Sequence, residues 1–247
     1  MARSSLAWLV VMLAACGVGG ETDEDLDEDE YVDPGIGPGD GKMDGATSVQ
    51  SVASSSCSTI PVRGLSLQIA EEMRCLAPGL LVPFAETSTI KFHDAAVLPY
   101  LASDTAVALR SAAASLGSIE VNSGLRSVAQ QYLIKRWRDT GRCRIRAAAA
   151  PGRSNHETGR AVDLSNHVAA RAVMRRLEFS TVRNDPVHFE HLDSQDLREV
   201  NVQAFQRLWN RNHPQDKITE SGRYDTATAT RLGRSPSGGF AVGARCD

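Results

Sequence analysis

Long apolar runs are missing from this chain of 247 residues. The longest, Leu6 to Ala15, covers ten residues, whereas a helix needs ~20 to cross a bilayer. Aromatic side chains make up only 5% of the sequence, and no aromatic–basic platform is present, so nucleic acid is not an expected partner. The five cysteines include no Cys-x-x-Cys pair, the spacing that marks many structural zinc sites. His-Glu-x-x-His is absent too: Glu157 follows His156, but Arg160 stands where the second imidazole would be.

What is present is ordinary in bulk and uneven in distribution. The 42% hydrophobic content is that of a globular protein, and the length allows one main domain and a small one. The net charge is −3, yet residues 21–45 carry eleven acids and a single lysine. Residues 46–247 hold 25 basic and 19 acidic side chains. A basic folded part suits an anionic polymer such as cell wall.

The N-terminus reads as a targeting segment. Arg3 precedes the apolar run, which ends in Leu13-Ala14-Ala15-Cys16, the form of a signal h-region. Leu-Ala-Ala-Cys resembles the bacterial lipobox, which implies lipidation at Cys16 and an exported, membrane-anchored protein of the cell envelope. Residues 17–56 are acidic, then rich in Gly and Pro, then rich in Ser. Such composition predicts a disordered tether. With Cys16 used as an anchor, Cys57, Cys75, Cys143 and Cys246 remain, enough for two disulfides in an oxidising envelope. Three connectivities are open, of which Cys57–Cys75 is the most local.

The chemistry concentrates between Ser154 and His191. Ser154-Asn155-His156-Glu157-Thr158-Gly159-Arg160-Ala161-Val162-Asp163 stands at one end and Asp185-Pro186-Val187-His188-Phe189-Glu190-His191 at the other. His156, Asp163 and His188 supply two imidazoles and a carboxylate, a donor set that suits catalytic Zn²⁺ with a position left for water. Residues 159–164 and 187–192 alternate like strands, and a hairpin-like pairing would set Asp163 beside His188. Asp185, held extended by the following proline, can face the reacting water without being a ligand. Glu190 and His191 are candidates for supporting a ligand or binding substrate.

Ser-x-His-x-x-Gly-x-Ala-x-Asp followed by acid-x-x-His resembles the M15 family of zinc peptidases, which cut peptidoglycan stem peptides as D-Ala-D-Ala carboxypeptidases and dipeptidases or as L-Ala-D-Glu endopeptidases. The resemblance implies His156, Asp163 and His188 as zinc ligands and Asp185 as general base. Carboxypeptidase members usually carry Glu and Trp where this chain has Asp185 and Val187. Asp at that place is similar to the phage endolysin-type L-Ala-D-Glu branch. Gly124-Leu125-Arg126-Ser127, with glutamines opening the next helix, resembles the family's Ser-Gly-Tyr-Arg-Ser…Gln segment, with Leu125 for Tyr. That likeness implies Arg126 beside the metal as the group stabilising oxygen charge, with Ser154 and Gln130 as further substrate contacts.

Helical periodicity is read over 65–75, 103–116, 168–177, 196–210 and 224–232, and a strand over 119–123. Val202-x-x-Phe205-Gln206, Gly222-x-Tyr224-x-x-x-Thr228-x-x-x-Leu232 and Ser235-Pro236 resemble small helical peptidoglycan-binding modules over about 45 residues. The reading is an α+β chain: a leader over 1–16, a tether over 17–56, a zinc peptidase domain over 57–193 with a small antiparallel sheet and flanking helices, and a helical module over 194–247. Two other classes stay open, a non-catalytic wall-binding lipoprotein and a zinc amidase of similar architecture.

Overall fold

A computed structural model describes residues 47–246. The leader, Cys16 and the acidic part of the expected tether lie outside these residues. Among the described residues no helix is long and apolar enough to cross a membrane.

The described residues open with helix α1 (Val49–Ser55) and, after a short 3-10 turn (Ile60–Val62), α2 (Arg63–Leu76). Three short strands follow, β1 (Leu81–Pro83), β2 (Ile90–Phe92) and β3 (Tyr100–Ala102), then α3 (Ser103–Leu116), β4 (Ile119–Ser123) and α4 (Val128–Asp139). A 3-10 turn (Asn155–Thr158) leads into β5 (Ala161–Leu164), α5 (His167–Arg176), β6 (Phe179–Val182) and β7 (Asp185–His191). Helices α6 (Arg198–Asn212) and α7 (Thr226–Arg234) complete the fold. The expected α+β class holds. The main sheet has the order β2-β4-β5-β7-β6, antiparallel except for the β2–β4 pair. A second small sheet pairs β1 with β3.

Two apolar cores result. One lies between the main sheet and α3 and α5, with Leu109, Ala113, Val121, Val162, Met174 and Phe189 among its buried residues. Leu109 and Ala113 lie one helical turn apart, as the Ala-rich periodicity predicts. The other joins α1, α2, α4 and α6, including Leu65, Ile69, Leu133, Val202, Phe205 and Trp209.

The second core revises two expected boundaries. Residues 47–56, read as the end of a tether, form an ordered helix. Val49, Val52 and Ala53 are buried at helical spacing, and Ser48 caps the N-terminus by accepting the Ser51 amide at 3.1 Å. The serine-rich composition hid a three-residue apolar stripe. Residues 194–246 likewise share this core rather than forming one of their own, since Phe205, Leu208 and Trp209 of α6 are fully buried in it.

Among the described residues two disulfides form, but not the local pairing. Cys57 joins Cys143 and Cys75 joins Cys246, with Cα atoms 5.3 and 4.6 Å apart. Cys75 sits near the end of a 14-residue helix, which spans about 21 Å at 1.5 Å per residue. Cys57 lies before that helix begins, and a disulfide needs Cα atoms within ~7 Å. The rigid helix holds the two sequence neighbours apart.

Candidate metal centre

The sheet register builds the site. Ser123 of β4 pairs with Asp163 of β5, and Asp163 pairs with His188 of β7, so three polar residues stand in one row across neighbouring strands. The expected pairing of Asp163 with His188 is found, with Ala161 opposite Glu190 on the same face. β6 forms the hairpin with β7, whereas α5 carries the chain between β5 and β6.

His156 reaches the row from the 3-10 turn before β5. Ser154 caps that turn: its Oγ accepts the His156 amide at 3.3 Å. Glu157 completes the capping box by accepting the amides of Ser154 at 3.0 Å and Gly152 at 2.9 Å. Gly159 ends the turn at φ 75°, a left-handed conformation, and a Cβ there would meet the Ala102 amide nitrogen at 3.0 Å. Backbone geometry and close packing therefore both require the glycine of the motif.

The three candidate ligands converge. One donor atom from each of His156, Asp163 and His188 lies within 4.8 Å of the others. His156 Nε2 is 3.3 Å from one Asp163 oxygen, and His188 Nδ1 is 3.2 Å from the other. His156 Nδ1 lies 2.9 Å from the Gly124 carbonyl, an arrangement in which Nδ1–H donates and Nε2 keeps its lone pair. His188 Nε2 is buried with no partner among the described residues. Burial, and next the Arg126 charge, lower the His156 pKa and favour neutral imidazole. Burial alone would raise the Asp163 pKa, but the two histidines and Arg126 hold it well below the usual carboxylate range. Two imidazole nitrogens and a carboxylate oxygen converging on one point are a donor set that a divalent cation takes, so the residues fit a metal ion.

Arg126 sits beside this group. Its Nη1 donates to Gln131 Oε1 at 3.0 Å and its Nη2 to Ser123 Oγ at 3.2 Å. Burial lowers its pKa, while Asp163, Glu157 and Asp185 raise it. Asp185 is exposed at the start of β7, near enough for its charge to act on Arg126. Thr181 pairs with Phe189 but Val182 pairs with Asp185, so β7 carries extra residues and bulges. A bulge breaks strict alternation, which frees Asp185 from the face opposite His188, and Pro186 has no amide to lose from the ladder there.

Other expected contacts also make bonds within the fold. Gln130, read as a substrate contact, donates both amide hydrogens internally, to Thr59 Oγ1 at 3.2 Å and the Ala96 carbonyl at 2.8 Å. Ser154 is buried and committed to capping. Glu190 accepts from Asn155 at 2.8 Å and Arg160 at 3.1 Å, bracing the turn that carries His156. His191 contacts Ser194 Oγ at 2.8 Å and packs edge-on against Phe179. Gln131 and Asn201 join the site without a motif of their own. Gln131 fixes Arg126 and donates to the Ala149 carbonyl at 2.7 Å. Asn201 accepts the Val128 amide at 2.9 Å and donates to the carbonyls of Arg126 and Glu157 at 2.9 and 3.2 Å. A glutamine after the Arg126 motif was visible in sequence, but two adjacent ones competed for the place. Nothing local marks Asn201, which lies on a distant helix.

His156 on its turn and Asp163 and His188 on adjoining strands, with the Arg126 guanidinium alongside, form a group that could hold a metal ion. Residues 98–194 match the family model of VanY, D-alanyl-D-alanine carboxypeptidase. This stretch is similar to a peptidoglycan-acting hydrolase domain, and it contains all three candidate ligands, Arg126 and Asp185. No curated protein matches the chain.

Proposed function

We propose that the protein is a zinc-dependent peptidase that removes the terminal D-alanine from peptidoglycan stem peptides. The convergence of His156, Asp163 and His188 within the VanY-like stretch carries this reading. These three residues would hold the metal. When bound, zinc polarises a scissile carbonyl and makes water a nucleophile near neutral pH. Asp185 takes the proton of the attacking water and delivers it to the leaving amine. Arg126, held by Ser123 and Gln131, offsets the negative charge that develops on the carbonyl oxygen. Glu190 and Ser154 keep the His156 turn in place. The leader sequence supports export and a lipid anchor at Cys16, so the catalytic part would work in the envelope on wall polymer.

Mass spectrometry of defined muropeptides, with zinc and with a chelator, tests the reading. Chelator-sensitive loss of one D-alanine is expected. Cleavage after L-Ala would instead place the activity in the endopeptidase branch that Asp185 resembles. Asp185→Ala should keep zinc and lose turnover, and His188→Ala should lose zinc. Unchanged metal content in the latter would remove His188 from the ligand set.

A further inference from the structure

Backbone alone places the base proposed above. Asp185 is exposed, and among the described residues its carboxylate takes no hydrogen bond or ion pair. The backbone that carries it is irregular. Asp185 pairs with Val182 of β6, but the next pair joins Phe189 to Thr181, so β7 advances four residues while β6 advances one. On the β5 side, pairing ends at His188 opposite Asp163. Pro186 and Val187 therefore lie outside both ladders, next to the residue that must face the reacting water. A carbonyl left out of a ladder needs another donor to hold it.

That donor comes from α5. Arg171 Nη2 donates to the Pro186 carbonyl at 3.2 Å. Among the described residues no other side chain hydrogen-bonds to residues 185–187. The anchor is rigid. Ala170, Val173 and Met174, which flank Arg171 in α5, are buried in the core that also takes Val162 of β5 and Phe189 of β7. Arg171 thus projects from the frame that carries Asp163 and His188, and it ties the bulge to that frame. Arg171 is itself half-buried and forms no ion pair among the described residues, so no acid competes there for its guanidinium.

We propose that Arg171 is a positioning residue: it clamps the Pro186 carbonyl and so holds the Asp185 carboxylate in place against the group formed by His156, Asp163 and His188. Arg171 acts through Asp185 and does not touch the reacting atoms. This rests on the reading of Asp185 as general base.

The test uses the full zinc-loaded protein and stem peptides ending in D-Ala-D-Ala. Arg171→Ala should lower kcat ~10–100-fold, since a misplacement of about 1 Å at a site can cost ~100-fold. KM, zinc content and the denaturant midpoint should change little, the pattern of an interaction that matters only in the transition state. Arg171→Lys, which keeps a cationic donor, should recover part of the rate. Wild-type kcat in Arg171→Ala would overturn the proposal and leave the peptidase reading intact. A loss of kcat matched by lost zinc or a lower midpoint would overturn it as well, in favour of a merely structural role. Asp185→Ala, measured alongside, separates the base from its clamp: if it keeps wild-type turnover, the base reading fails and the proposal with it. Absence of wild-type turnover would sink the peptidase reading instead. Amide hydrogen exchange then decides the clamp: faster exchange at Val187 and His188 in Arg171→Ala, restored by Arg171→Lys, would keep it, and unchanged exchange would remove it.

Discussion

Replacing Asn201 with alanine should damage both stability and catalysis, although Asn201 lies on α6, outside the matched domain. Its side chain is fully buried and makes three hydrogen bonds, to the Val128 amide and the carbonyls of Arg126 and Glu157. Val128 opens α4, Arg126 is the proposed charge-stabilising residue, and Glu157 adjoins His156. One amide group therefore ties three pieces of the site together. Stranding a buried backbone donor or acceptor costs ~1–3 kcal/mol. Three such groups with partial relaxation give a loss of ~3–5 kcal/mol, a large share of a typical total of ~5–15. Denaturant unfolding with both disulfides intact measures this term. Turnover at a temperature where the variant stays folded should fall ~10–100-fold, since a misplacement of about 1 Å at a site can cost ~100-fold. A stability loss under ~1 kcal/mol with unchanged kcat would refute the argument that α6 belongs to the catalytic unit.

The same packing predicts that residues 47–193 alone will not give sharp amide dispersion in a proton NMR spectrum, because Val202, Phe205, Leu208 and Trp209 complete a shared core. Gln131→Leu should lower kcat with zinc content unchanged, and Gln131→Glu, which keeps an acceptor for Arg126, should recover part of the loss; equal rates in all three would dismiss the bracing role. Burial pushes the Glu157 pKa up from 4.5 to about 7 despite its bonds to Gly152 and Ser154. A raised folded-state pKa adds stability that is fully present below pH 4.5 and is lost as pH rises through about 7. Metal-free Glu157→Gln should therefore lack a decline of ~3 kcal/mol that the wild type shows across that window, and identical pH profiles in urea unfolding would contradict this. Cys57→Ser with Cys143→Ser opens a loop with a sequence separation of 86; chain entropy puts the cost at up to ~4–5 kcal/mol, readable as a lower denaturant midpoint.

The elements most legible in sequence were those with strong local signals. The Ala-rich stretch 103–116 and the alternating 119–123 appear with the expected bounds. Asp163 and His188 were expected side by side because both segments alternate with a period of two, and the strand register delivers that pairing. Helix α1 was missed because its three apolar residues are diluted by serine, and their burial depends on α4 and α7, far along the chain. The three-residue strands β1, β2 and β3 were too short for any periodicity to show.

By itself the sequence determined the donor set, two imidazoles and a carboxylate with an arginine motif upstream, because residue type fixes which atoms can bind a metal. It also determined that residue 159 is glycine, as a tight left-handed turn demands. Tertiary structure decided the rest. It chose between adjacent glutamines, giving Arg126 to Gln131 and the Thr59 hydroxyl and Ala96 carbonyl to Gln130. It paired the cysteines across the fold, since a rigid helix separates the two nearest in sequence. It also drew α1 and α6 into one core with α2 and α4. Those outcomes depend on which surfaces meet in space, and contacts between residues a hundred or more positions apart leave no local pattern to read.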